Sequence, residues 1–354
     1  MPSSGQGGHW NGDFTQCMRK GFHAHVQRLE PTAQGLSPAL VVGEAVHIYA
    51  QSLYECQLLG APKDSCMGEA VVAFNNFLDE QEVEWALDDP YLEERVKLAR
   101  QVLPVWAEGQ LARLEAGVER TIAVEVSFSY KLPAETPYGP IAEHLRLVTG
   151  RIDRVFKRND PLALDRLDSV GLTVQDHKAT KASSLTYYVR DLLRSDQHLG
   201  YVFGWNLAPI CGVWQGHSRG AAQAEVIAEG LGITDYILDI RGDDKQITWE
   251  KADEIEYNLI RLGTLSPKSL HRESRPTNTE QLLDYYERLC SLRADLSARW
   301  DKPKEWWHQN TSNCAKFGEQ CPFYRLCEEP HLHPNLIAPN GESEGYAYHR
   351  AQEE

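Results

Sequence analysis

Two aspartates and a lysine, spread over Gly150 to Lys178 of a 354-residue chain, constrain the fold more than any other feature. The stretch reads GRIDRV, then a polar insert, then VQDHK. Val148, Ile152 and Val155, interrupted by Gly150 and Asp153, predict a strand that ends in a polar residue, and Leu172 to Asp176 predicts a second short strand. Strand side chains alternate with period two, so Asp176 and Lys178 fall on one side. Carboxylates that converge at strand ends repel each other, and the arrangement is stable only if a divalent cation neutralises them or one is protonated. A metal is the expected answer. The neighbouring lysine can then orient or deprotonate a water and steady the charge that builds on an attacked phosphate.

GRIDRV followed by QDHK resembles the motif core of the PD-(D/E)xK nucleases, specifically the RecB-like branch, with its G-x-[IV]-D strand and following D-x-K. A lone D-x-K carries little weight, because charged triplets occur by chance; its neighbours make it informative. Downstream, Gln197 and Tyr201 reproduce the Q-x-x-x-Y of that branch and, four apart, share one helical face. Upstream, GEAVHIYA from Gly43 to Ala50 resembles the first-helix G-x-x-x-H, which offers His47 as a third ligand. The plainer reading of His47, among Val46, Ile48 and Tyr49, is a satisfied core histidine, and that of Gln197 and Tyr201 an ordinary amphipathic helix. The resemblance implies a restriction-endonuclease-like α/β core, a mixed central sheet flanked by helices. It implies Mg2+ or Mn2+ held by Asp153, Asp176 and His47 with the carbonyl of His177. Lys178 then activates the water, and Gln197 and Tyr201 position the DNA strand or support the lysine.

Hydrophobic residues make up 42% of the chain, enough for a core. No run of about eighteen apolar residues occurs, and MPSSGQGGHW lacks a basic region followed by an apolar stretch, so neither membrane spanning nor secretion is expected. A cytoplasmic location follows as an expectation, in a bacterial cell or, for a phage-encoded protein, in the host. The net charge of -15 argues against a chain that coats nucleic acid. Basic residues nevertheless outnumber acidic ones between Arg146 and Arg194, which suits an enzyme gripping a few phosphates, although a solvated mixed-charge surface explains much of the same pattern.

In chain order, residues 1–12 are Gly/Ser-rich and expected to be disordered; 13–118 form an N-terminal helical region; 119–245 hold the nuclease sheet and the Q-x-x-x-Y helix; 246–330 carry further helices and a cysteine cluster; 331–354 form a flexible tail. Ser37 and Pro38 open a helix to about Leu59, followed by helices over 64–86 and 90–116. Alternation from Arg120 predicts a strand on which Glu125 is a weak candidate for supporting the site. Asn159 to Gly171 reads as a surface excursion, and a helix follows through Gln197 and Tyr201 to about Trp205. Strands are expected over 209–240, helices over 247–262 and 279–298, and a polar loop over 272–278 whose arginines can reach DNA.

Of the 8 cysteines, Cys56, Cys66, Cys211 and Cys290 read as isolated buried thiols. Cys314, Cys321 and Cys327 crowd one segment, and without a secretory leader metal or cluster ligation is the default. The fourth ligand is Cys17, His331 or His333. FTQCMRKGF around Cys17 resembles the C-P-R-K-aromatic opening of the iron–sulfur nucleases, AddB-type and CRISPR-associated, with Met18 in place of proline. Those proteins use one cysteine before the core and three after it, which implies a [4Fe–4S] cluster on Cys17, Cys314, Cys321 and Cys327. The spacing C-x6-C-x5-C departs from their commonest C-x2-C-x5-C, so zinc on three cysteines and His331 is the alternative.

The expected activity is a DNA exonuclease acting on single strands or duplex ends. The alternative is a zinc-stapled nucleic-acid-binding or recombination accessory protein without nuclease activity. No G-x-x-x-x-G-K-[ST] loop occurs, so unwinding falls to a helicase or recombination partner.

Overall fold

The computed structural model describes residues 8–27, 29–31, 38–85, 90–159, 172–180, 185–194, 196–210, 230–241, 250–262, 270–309, 315–316, 319–321, 323, 326–327 and 346–348. The chain opens with α1 (Gly8–Gln16), α2 (Met18–Gly21), a π-helical turn (Phe22–Val26) and β1 (Leu29–Pro31). Helices α3 (Pro38–Leu58), α4 (Lys63–Trp85) and α5 (Pro90–Glu115) follow, then β2 (Glu119–Lys131), β3 (Glu135–Thr136), β4 (Gly139–Pro140) and α6 (Glu143–Arg146). The motif strands are β5 (Leu147–Arg158) and β6 (Leu172–Thr180). After them come α7 (Leu185–Arg194), α8 (Gln197–Ile210), β7 (Thr234–Arg241), β8 (Ala252–Arg261), β9 (Leu270–Pro276) and α9 (Thr279–Arg299). Short strands β10 (Ala315–Lys316), β11 (Glu319–Gln320) and β12 (Tyr346–Tyr348) end the described chain.

Two compact units share these elements. The larger comprises Ser37–Pro133 and Thr149–Glu287. Its six-stranded sheet runs β7-β2-β5-β6-β8-β9, antiparallel except for the parallel β6–β8 pair among the pairings resolved here. This is the mixed sheet flanked by helices that the sequence implies. Residues 152–156 of β5 and 172–177 of β6 are buried without alternation, the mark of strands covered on both faces. On one face, α3 supplies Val46, Tyr49 and Leu53, α4 Phe74 and Leu78, and α5 Leu103 and Trp106 to a continuous apolar core that reaches Val124 and Ile260. On the other lies α8, clamped to the start of β8 because the Asn206 side chain accepts from the backbone N–H of Ala252 and donates to its carbonyl, both at 2.8 Å.

Glycines let α8 come close. The Phe128 ring of β2 fills the space where Gly150 on β5 and Gly204 on α8 lack side chains; an added Cβ would stand 2.2 Å and 2.4 Å from ring atoms. The glycine of GRIDRV is therefore a packing requirement that seats the Gln197–Tyr201 helix against the sheet. Gly150→Ala is expected to cost roughly 1–3 kcal/mol, the usual penalty of overpacking. Urea titration should show part of that loss restored in a Gly150→Ala/Phe128→Leu double variant, and no loss in the single variant would refute the packing account.

The smaller unit comprises Met1–Leu36, Ala134–Val148 and Arg288–Glu354. Trp307 is its apolar centre, with ring centroids 5.9 Å from Phe14 and 5.1 Å from Phe22. Arg19 donates through Nε to the Trp307 carbonyl and through Nη1 to Gln309 Oε1. The N-terminal helices thus pack on residues nearly 290 positions later in the chain, and β1 pairs antiparallel with β12.

Four expectations give way. Within the span 247–262, where a helix was expected, Ala252–Arg261 form strand β8, because the parallel partnership with β6 outweighs the weak helical spacing of the apolar residues. Residues 270–276 form edge strand β9 and not a loop. The helix leading to Trp205 is two helices, α7 and α8, and α8 continues to Ile210, into the stretch expected to be strands. Within that stretch the described strand is β7. The excursion after Asn159, Ser37 and the 331–354 tail, except for Tyr346–Tyr348 in β12, lie outside the described residues.

Candidate active site

β5 and β6 pair from Lys157↔Leu172 to Arg154↔Gln175, where the ladder stops. At the next step the Asp153 side chain takes over: its Oδ2 accepts from the backbone N–H of His177 at 2.6 Å. Register then puts Asp153 and Asp176 on one face, with Lys178 two residues on. Asp153 is 8% and Asp176 1% exposed. Each faces a basic group of the chain itself. His47 Nδ1, brought by α3, stands 3.1 Å from Asp153 Oδ2. Lys178 Nζ stands 2.9 Å from both carboxylate oxygens of Asp176, but its hydrogen bond goes to Oδ1, which leaves Oδ2 buried without a hydrogen-bond partner.

The electrostatics divide the two acids. Burial disfavours a charged Asp153, yet the charge and hydrogen bond of His47, with His177 and Lys178, prevail and hold it well below the carboxylate range. Burial, together with the negative charge of Asp153, pushes Asp176 up to about 6 against the pull of Lys178. For Lys178 burial opposes the charge, but Asp176, Tyr201 and Asp153 outweigh it and the ammonium is held protonated. Burial likewise opposes charge on His47, and Asp153 overcomes it.

Gln197 Nε2 donates to Tyr201 Oη at 2.7 Å, and the charges of Asp176 and Lys178 both act on that phenol. The expected Gln/Tyr pair therefore meets itself and the lysine. His177 faces away from Lys178: its ring stacks on Tyr54 at 5.8 Å and meets Trp106 edge-on at 5.4 Å. Burial holds that imidazole neutral, near about 3. Glu125 lies where the β2–β7 register shifts, with φ 51, and pairs with Arg151 Nε at 3.2 Å.

Two phenols escaped the sequence reading. Tyr257 on β8 is the register partner of Asp176, and Tyr188 on α7 is buried enough to have its ionisation suppressed and feels Lys178 and Asp176. Reading β8 as a helix hid the first; the second carries no motif.

Behind the motif, Arg154 is wholly buried on the opposite face. Its guanidinium lies 4.2 Å from the Tyr54 ring and 4.5 Å from that of Phe156, and bonds Thr121, Gln175 and Glu119. Arg272 joins Glu119 and Glu256. Of the two arginines expected to reach DNA, Arg272 is thus tied into the sheet and Arg275 pairs with Glu273 at 2.7 Å.

In the smaller unit, Cys17 precedes α2, with its thiol 3.9 Å from the His308 carbonyl. Cys327 Sγ lies 3.8 Å from His23 Nε2, whose other nitrogen meets Gln27 Oε1 at 2.6 Å. Cys321 is half-buried. Cys314, His331 and His333 fall outside the described residues. Among the described residues no three His, Cys, Asp or Glu side chains already gather as a metal-holding group. Cys56 and Cys66 are not isolated thiols: burial first, and then a hydrogen bond with Cys56, push Cys66 up to about 12. Cys290 is buried as expected, and Cys211 lies outside the described residues. No helix among the described residues is long and apolar enough to cross a membrane.

A family model described as the PD-(D/E)XK nuclease superfamily matches residues 12–328. No curated protein matches the chain significantly.

Proposed function

Because the chain belongs to the PD-(D/E)XK nuclease superfamily, we propose that it hydrolyses DNA phosphodiester bonds with a divalent metal at the Asp153–Asp176 pair. The observation that carries the reading is a buried Asp176 with an orphaned Oδ2 beside a second buried carboxylate. Hard oxygen donors of this kind suit Mg2+ or Mn2+. Asp153, Asp176, His47 and the His177 carbonyl would hold the ion, which supplies Lewis-acid stabilisation of the attacked phosphate when bound. Lys178, held protonated, orients the water and offsets negative charge at the phosphate in preference to acting as the base. Since the Tyr201 oxygen already accepts from Gln197, its own proton is left to donate to the lysine's surroundings or to the strand.

The substrate within this reading is single-stranded DNA or a duplex end, processed exonucleolytically beside a helicase or recombination partner in a bacterial cytoplasm, the host's if the protein is phage-encoded. Strands labelled at either end, single and duplex, test it. Loss of label as mononucleotides or short fragments in Mg2+ or Mn2+, and none in EDTA, is expected; internal nicking of circular DNA at an equal rate would refute exonuclease action.

The cysteines support a [4Fe–4S] cluster as a structural staple. Cys17, Cys321 and Cys327 belong to one unit, and thiolates are the donors such clusters take. Closing a loop from Cys17 to Cys327 is worth about 5–6 kcal/mol in chain entropy. Cys17→Ser is expected to bleach a brown protein and lower its melting temperature as much as Cys321→Ser does. A colourless protein carrying zinc, indifferent to Cys17→Ser and emptied by His331→Ala, would establish the zinc alternative.

A further inference from the structure

Two buried polar atoms on one face of the sheet have no hydrogen-bond partner among the described residues: Oδ2 of Asp176 and the phenolic oxygen of Tyr257. Their strands, β6 and β8, run parallel with Asp176 and Tyr257 as register partners. Both side chains therefore leave the sheet on the face of Lys178, while His177 and its partner Asn258 leave on the other. Tyr257 is 0% exposed, so its hydroxyl is out of reach of a DNA strand. Burial suppresses ionisation of the phenol, and the charge of Asp176 suppresses it further, which keeps a proton on that oxygen. A donor and an acceptor both left unsatisfied in a native interior are rare, and one ordered water satisfies such a pair.

We propose that Tyr257 is a positioning residue of the metal-binding carboxylate: its O–H, through one bridging water, holds Oδ2 of Asp176 and so orients that carboxylate towards the divalent ion. The proposal rests on the nuclease reading. Lys178 grips Oδ1 from one side, and Tyr257 supplies the second restraint that a carboxylate needs if it is to keep its plane. Groups that orient a metal ligand from behind set metal affinity without touching substrate.

The test is calorimetric titration of Mn2+ into the DNA-free full chain, for wild type, Tyr257→Phe and Asp176→Asn. Tyr257→Phe keeps the ring and is expected to weaken Mn2+ binding about tenfold, within the range for loss of an outer-shell partner. The Mn2+ concentration giving half-maximal cleavage should rise by the same factor. If Asp176→Asn abolishes binding while Tyr257→Phe matches wild type, the proposal is overturned and the nuclease reading stands. If wild type binds no Mn2+, both fall. A Tyr257→Phe protein that melts at a higher temperature with unchanged Mn2+ affinity also overturns it, because that is how a hydroxyl without any partner behaves.

Discussion

Asp176→Asn is expected to lower DNA cleavage by a thousandfold or more and to raise the melting temperature of the metal-free protein. The rate loss, about 4 kcal/mol at 1.36 kcal/mol per factor of ten, follows from removing an anionic oxygen from the proposed metal site. The gain in stability follows from the same position: burial and the neighbouring Asp153 both disfavour a charged Asp176, so a neutral side chain of equal size removes a strained ionisation. An activity site that opposes folding is the signature expected of a preorganised metal pocket. Lys178→Ala should lose a comparable factor in cleavage for a different reason, and without the stability gain, because it leaves the buried Asp176 with no cation. In Ca2+ that variant should still retain DNA. Full cleavage by Asp176→Asn would refute the site, and lost retention with residual cleavage in Lys178→Ala would refute the role given to the lysine.

The largest effect on stability is expected at Glu119, which belongs to no sequence motif but pairs with Arg154 of GRIDRV. Its carboxylate, with no exposed side-chain surface, lies against Arg154, Arg272 and Arg113. Burial pushes its pKa up, but the Arg272 hydrogen bond and the charges of Arg154, Arg272 and Arg113 outweigh burial and hold the group at about 2. Glu119→Gln leaves the wholly buried Arg154 guanidinium without its anion, and breaking a buried pair in this way costs about 3–5 kcal/mol. The sign with pH follows from the depressed value. Stability supplied by Glu119 is complete above its ordinary value of 4.5 and drains away as the pH falls through about 2. Urea titrations of wild type and Glu119→Gln should therefore differ by a constant amount from pH 7 to pH 5 and converge below that. A gap that stays constant down to pH 2 would contradict the assignment.

The strand pair that carries Asp153 and Asp176 was legible because its information is local. Asp153, Asp176 and Lys178 sit within strands whose apolar flanks mark them, His47 falls within one helix, and Gln197 and Tyr201 sit four apart on one face of another. What stayed hidden depends on partners distant in sequence. ADEIEYNLIR reads as a helix until β6 is placed beside it, since a strand buried on both faces has no alternation to show. With β8 misread, Tyr257 had no reason to meet Asp176. LHRESRP looks like a polar loop because its charges point inward, where Arg272 finds Glu119 and Glu256. Cys56 and Cys66 meet only because α3 and α4 fold back on each other.

Crystals of the full chain soaked in Mn2+ and measured at the manganese absorption edge bear most directly on the central claim. The account predicts an anomalous peak between the carboxylates of Asp153 and Asp176, absent from Asp176→Asn crystals. Manganese bound elsewhere while both carboxylates keep only the protein partners seen here, His47 and the His177 N–H for Asp153 and Lys178 for Asp176, would contradict it.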